Sequence, residues 1–190
     1  MLDDAAAALA AGHPVVIPTD TVYGIAVVAE DPAATARLFE VKQRPTAAAL
    51  PVLVADADQA FALCGDVPEL ARRLAERHWP GGLTLVLPRR AGLDLDLGGA
   101  DDGTIGVRVP DHPVPVELAR RVGPLAATSA NLHGQPTPPT AAEVVEQLGG
   151  AVGVVVDGGR CEGAPSTVVA ISAGGDLTVL RAGRIPPAEL

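Results

Sequence analysis

The chain has 190 residues, of which 48% are hydrophobic and 19% charged, and its formal net charge is −9. Such hydrophobicity excludes intrinsic disorder, and a chain of this length can bury roughly 70% of its unfolded surface without disulfides or metal. The negative field repels polyanions, so a general basic surface for nucleic acid is excluded and any anionic ligand has to be held by local groups.

No apolar run approaches the ~18 residues of a membrane-crossing helix. Asp3 and Asp4 stand where a secretory leader carries positive charge, so the expected location is the cytoplasm, with no membrane partner. Cys64 and Cys161 lie far apart without CxxC spacing and suit neither a disulfide framework nor a zinc site. The chain is rich in Ala, Gly and Pro, only Lys42 of its 14 Lys and Arg residues is lysine, and Asn131, Tyr23 and Trp79 are each the sole residue of their type. A composition that drains these types keeps them preferentially where the side chain has a task.

In chain order, 3–11 reads as a helix with acids at its N-terminal end, closed by Gly12. Short β-branched runs at 13–18 and 21–29 read as strands, the second interrupted by Gly24. Helix 32–42 starts with Pro at its first position and stops before Pro45. Then follow strand 51–55, helices 56–64 and 68–78, and strand 82–88. The acidic, glycine-rich stretch 89–103 reads as a mobile loop or loose hairpin without obvious chemistry. Strand 104–109, helix 114–122, strand 124–127, a polar loop 128–139, helix 140–148, strand 152–157, a glycine-rich loop 158–165 and strands near 166–172 and 177–181 complete the order. Strand and helix alternate beside hairpin-like neighbours, which predicts a mixed α/β sheet.

The usual nucleotide fingerprints, GxxxxGK[ST] and GxGxxG, are absent, as are HExxH and GxSxG. What remains is a set of strand-end segments, each with a plain structural reading beside a functional one. Thr19-Asp20-Thr21 is either a turn with a capping acid or a polar pocket wall. Lys42 and Arg44 are either partners of a helix C-terminus or holders of a polyphosphate. Thr128-Ser129-Ala130-Asn131 follows a buried strand and suits a turn or a ligand's oxygens. Ser166 follows a glycine-rich loop. Arg108 and Arg181 interrupt apolar strands, so each implies an anionic ligand or an ion pair. His112 reads as a turn residue.

Taken in order, PTDTVYGI (18–25), KQRP (42–45), WPGGLTLVLP (79–88), VRVPDHP (107–113), TSAN (128–131), PSTVV (165–169) and LRAG (180–183) resemble the YrdC/TsaC family of threonylcarbamoyl-adenylate synthases. The resemblance spans residues 13 to 184. It implies one domain over 1–190, the short form of the family, with a twisted open sheet of parallel and antiparallel strands, flanking helices and a large concave cavity. It implies that ATP, L-threonine and bicarbonate become threonylcarbamoyl-AMP and pyrophosphate, for transfer by other proteins to an adenosine next to the tRNA anticodon. Direct tRNA binding is expected to be weak or absent, and Mg²⁺ to arrive with ATP.

Carried over residue by residue, the threonine pocket is Thr21, Arg108, Ser166 and the backbone at Ala127. The nucleotide contacts are Lys42, Arg44, Thr104, Ser129, Asn131, Thr137 and Arg181, with Lys42 and Arg44 as the catalytic cations. Positioning plus electrostatics suffices for two anions brought together, which agrees with the absence of a triad or metal cage. One departure stands out: the polar segment that often follows KxRP reads Thr46-Ala47-Ala48-Ala49-Leu50, and Ala48 cannot make a polar contact to nucleotide. That run favours an alternative, a paralogue of the same fold that binds nucleotide or RNA with lost or altered activity.

Overall fold

The computed structural model describes residues 1–42, 49–100, 103–161 and 163–190. Arg44 and the Ala47 and Ala48 of the alanine run lie outside the described residues. Among the described residues nine strands form one sheet: β1 (Val15–Ile17), β2 (Gly24–Val28), β3 (Val52–Leu53), β4 (Leu83–Pro88), β5 (Thr104–Arg108), β6 (Leu125–Ser129), β7 (Val154–Val155), β8 (Thr167–Ile171) and β9 (Leu177–Arg181), in the spatial order β7-β1-β2-β6-β3-β5-β4-β8-β9. β7 with β1, β3 with β5 and β4 with β8 run parallel; the other neighbours run antiparallel. The predicted mixed sheet is therefore what forms.

Among the described residues there are six α-helices, α1 (Leu2–Ala10) ahead of β1 and the others between strands: α2 (Pro32–Lys42), α3 (Ala57–Ala62), α4 (Glu69–His78), α5 (Pro113–Val122) and α6 (Ala141–Leu148). Their ends follow local chemistry. Gly12, at φ +75°, closes the turn after α1, and the Asp56 carboxylate accepts from Gln59 N to start α3. His112 is more than a turn residue: its Nδ1 accepts from Val114 N and caps α5.

The strand period of two sorts residues between two cores. Val15, Ile17, Ala26, Leu53, Leu125 and Ala127 pack with α1 and α5, while Val16, Ile25, Val27, Val52 and Ala126 join the larger cluster on the other face. In β4 and β5 the odd residues Leu83, Leu85, Leu87, Ile105 and Val107 belong to that larger cluster. Their alternates, Thr84, Val86, Thr104, Gly106 and Arg108, line a cavity instead. That cavity is the part of the sheet face that α1 and α5 leave uncovered.

Two sequence expectations change here. Residues 89–103 were expected as a loose loop, yet Leu95 and Leu97 are buried, Leu50 N donates to Leu97 O at 2.8 Å, and 95–100 form one wall of the cavity. The alternation Leu93-Asp94-Leu95-Asp96-Leu97, with leucines in and acids out, is what packs it. Strand β6 also runs on through Thr128 and Ser129, because all five of its residues pair with β2, as far as Ser129 opposite Gly24.

Candidate active site

The cavity has a volume of about 950 Å³ and gathers eight of the sequence-predicted residues: Thr21, Thr104, Arg108, Ala127, Ser129, Thr137, Ser166 and Arg181. They come from the β1–β2 turn, from the open face of β5 and β6, from the loop after β6, and from the one end of the β8–β9 pair where β8 begins and β9 finishes. Lys42 and Asn131 are not on its surface but behind it.

At the first end, Arg108 is buried in the strand interior and is held on three sides. Its Nε donates to Gly81 O at 2.9 Å, Nη1 to Thr21 Oγ1 at 3.0 Å, and Nη2 to Asp20 Oδ1 at 2.6 Å. The ion pair anticipated for a strand arginine is thus made within the protein, with both side chains 7% exposed. Burial pulls the Arg108 guanidinium below its ordinary value, and the Asp20 charge opposes that shift. A guanidinium has five N–H groups, so one on each terminal nitrogen is left for a ligand, a number that suits a carboxylate. Asp20 also accepts from Asp111 N at 3.1 Å, and Arg184 donates to its carbonyl oxygen.

Ser166 lies where β8 begins. Arg181 reaches back across the β8–β9 pair, donating to Ser166 O from Nη2 and Nε at 2.8 and 3.1 Å and to Ser166 Oγ at 2.9 Å. Thr84, on the neighbouring parallel strand, is 2.9 Å from the same hydroxyl. Gly183 makes this approach possible, since a Cβ there would lie 2.3 Å from Pro165 O and 2.6 Å from Ser166 C.

At the second end the arrangement corrects the simplest picture of a phosphate cradle. Lys42, 2% exposed at the end of α2, donates to Ser129 O and to Asn131 Oδ1, the latter at 3.1 Å. Asn131 Oδ1 also receives Ser129 Oγ at 2.5 Å and Thr137 Oγ1 at 3.5 Å, while its Nδ2 donates to Leu132 O and Gln135 O. The amide is therefore spent inside the protein as the hub of the loop after β6. Ser129 gives its proton to that hub and turns lone pairs to the cavity, which suits a ribose hydroxyl or an exocyclic amine better than a phosphate oxygen.

The sequence reading passed over several contributors. Thr84 lines the cavity beside the expected residues and Thr19 of the segment already singled out, and Arg89 adds a third cation to its wall. Tyr23 is fully buried, accepts from Gly158 N at 3.0 Å and donates to Gly159 O at 2.7 Å, pinning the loop that leads to Ser166. Thr84 had a readable signal, being the one polar residue in LTLVLP on the face opposite Leu83, Leu85 and Leu87. Asp20 did too, lying between two threonines, but nothing in the sequence names Arg108 as its partner. Among the described residues no three His, Cys, Asp or Glu side chains cluster as for a metal, and no helix is long and apolar enough to cross a membrane.

Residues 7–183 match the Sua5/YciO/YrdC family model, described as telomere recombination. The threonylcarbamoyl-AMP synthase of Bacillus subtilis is 41% identical over 178 residues, 93% of this chain and 51% of the relative. A Mycobacterium tuberculosis protein that carries the same name provisionally is 41% identical over 181 residues, 95% of this chain and 83% of its own. The chain thus spans most of one relative and about half of the other. Among solved structures, Pyrococcus abyssi Sua5 complexed with L-threonine superposes with a TM-score of 0.92 at 37% identity, covering 99% of this chain and 55% of that one.

Proposed function

The chain belongs to the Sua5/YciO/YrdC family, and from that premise we propose that it is a threonylcarbamoyl-AMP synthase. It joins L-threonine, bicarbonate and ATP into threonylcarbamoyl-AMP and pyrophosphate. The observation that carries this reading is the single cavity of about 950 Å³, which holds the paired Arg108 with Thr21 and Ser166 together with Ser129, Thr137 and Arg181. A volume of this size accommodates two small substrates side by side.

In this reading the two remaining N–H groups of Arg108 take the carboxylate of threonine, with Thr21 and Ser166 on either side and Ala127 as floor. The amine forms a C–N bond to the carbon of bicarbonate, with loss of water, and a carbamate oxygen then attacks the α-phosphorus as pyrophosphate leaves. No protein nucleophile is required; the site aligns two anions and offsets their repulsion. Arg181 and Arg89 supply positive charge on the cavity wall. Lys42 acts through Ser129 and Asn131, whose geometry it fixes, and Arg44 keeps the nucleotide role that the KQRP motif implies. Mg²⁺ enters as part of the MgATP substrate, keeping its waters and the phosphate oxygens as ligands. The product passes to proteins that modify tRNA, and a chain of net charge −9 fits a small-molecule role better than a direct hold on tRNA.

The test is pyrophosphate release by the purified protein with MgATP and bicarbonate, with and without L-threonine. Release that depends on threonine is expected. Release indifferent to threonine, or none while ATP still binds, overturns the reading in favour of a nucleotide-binding paralogue.

A further inference from the structure

We propose that the amino-acid end of the cavity has a fixed hydrogen-bond polarity at Ser166: its hydroxyl offers a ligand only a proton, and Thr84 is the positioning residue that enforces this. The inference rests on the proposed reading of this end as the threonine site and adds which atoms of the ligand this hydroxyl can take.

The assignment follows from counting protons, since a hydroxyl has one proton and two lone pairs. Thr19 Oγ1 lies 2.6 Å from Val22 O, an oxygen that can only accept, so the Thr19 proton is spent there. Its two lone pairs take Thr21 N at 3.1 Å and Val22 N at 3.2 Å, so the count at Thr19 is full and does not fix the direction of its 3.0 Å contact with Thr21 Oγ1.

At Ser166 the count closes. A guanidinium only donates, so Arg181 occupies one lone pair of Ser166 Oγ. The remaining contact is with Thr84 Oγ1, whose side chain is 2% exposed and has Ser166 as its one hydrogen-bond partner among the described residues. If Ser166 donated to Thr84, the buried Thr84 proton would be left without an acceptor, an expensive arrangement. Thr84 therefore donates and fills the second lone pair. The proton of Ser166, 7% exposed and on the cavity wall, points to the ligand.

The consequence is directional. A carboxylate or hydroxyl oxygen of the substrate meets Ser166, and a protonated amine, which can only donate, is turned away from it.

The test compares Thr84→Val, which keeps the shape and deletes the hydroxyl, with Thr84→Ser, which keeps the hydroxyl. Ser166→Ala and the double variant T84V/S166A complete the set. L-threonine affinity is read by calorimetry, and KM for threonine and for ATP by pyrophosphate release. T84V frees a lone pair on Ser166 and unfixes its proton, so threonine affinity is expected to fall about tenfold, the effect of one directed hydrogen bond, with the ATP KM unmoved. Thr84→Ser restores it, and T84V/S166A binds threonine no worse than Ser166→Ala alone, because Thr84 acts only through Ser166. Threonine affinity unchanged in T84V, no rescue by Thr84→Ser, or losses that add in the double variant each overturn the wiring. Wild-type protein that neither binds nor consumes threonine overturns the functional reading itself, and is seen before any variant is made.

Discussion

Asp20→Asn removes one charge from the buried pair that anchors the threonine end while keeping the shape of the side chain. Asp20 and Arg108 are each 7% exposed and 2.6 Å apart, and Asp20 also accepts from Asp111 N. Breaking a buried pair by neutralising one partner costs about 3–5 kcal/mol, because the other charge stays buried without compensation. An asparagine oxygen retains one neutral acceptor worth about 1 kcal/mol, so the net loss is about 2–4 kcal/mol. In a domain of this size that lowers Tm by about 5–15 °C. Thermal unfolding followed by circular dichroism measures the shift, and threonine affinity should weaken in parallel, since Arg108 loses one of its three anchors. The double variant D20N/R108M, which leaves no buried charge, should recover part of the lost stability. A Tm within about 2 °C of wild type for Asp20→Asn, or a double variant less stable than the single, would refute the argument that the pair is held by mutual burial.

Lys42→Ala strips the donor that ties Ser129 O to Asn131 Oδ1. It should raise the ATP KM more than the threonine KM and cost about 1–3 kcal/mol in urea unfolding, so a fully stable, inactive variant would contradict the placement of Lys42 behind the wall. Gly183→Ala places a Cβ within 2.6 Å of Pro165 O and of Ser166 backbone atoms, and should weaken threonine binding together with a stability loss above about 2 kcal/mol. Equal affinity and stability would mean that the backbone there shifts freely. At alkaline pH, burial pushes the Cys64 thiol from 9.0 up to about 11, so the folded state holds this proton longer than the unfolded state. Its stabilising contribution is therefore complete below pH 9.0 and is lost as pH rises toward about 11, by about 2–3 kcal/mol in total. Burial raises the Tyr23 phenol as well, adding a decline that begins above its ordinary 10.0. Urea unfolding across this range should show a fall that Cys64→Ala flattens at its lower end; an unchanged profile in that variant would assign the fall elsewhere.

Much of the fold was legible because the signals were local. Pro32 opens α2, Gly12 ends α1, and β-branched runs mark β1 and β2. What misled was composition standing in for pattern: 89–103 is acidic and rich in glycine, yet its leucines alternate as in a strand and seal the cavity wall. The short strands β3 and β7 were placed but drawn too long, since pairing with neighbours sets their ends and no residue in the sequence announces it.

The site was legible by residue type and not by direction. Arg108 and Ser166 stand out in their segments, but which Arg108 protons remain for a ligand and which way the Ser166 proton points depend on Asp20, Arg181 and Thr84, which lie up to 88 positions away along the chain. Asn131 makes the point from the other side. A lone asparagine after a buried strand reads as a ligand contact, yet its oxygen collects Lys42, Ser129 and Thr137 and its nitrogen serves two carbonyls. Its scarcity in the sequence reflects a task, and the task is to hold Ser129 and Thr137 at the cavity. A polar residue kept by a composition that sheds its type is thus a pointer to a hydrogen-bond hub, and the groups that face the ligand are the neighbours the hub orients.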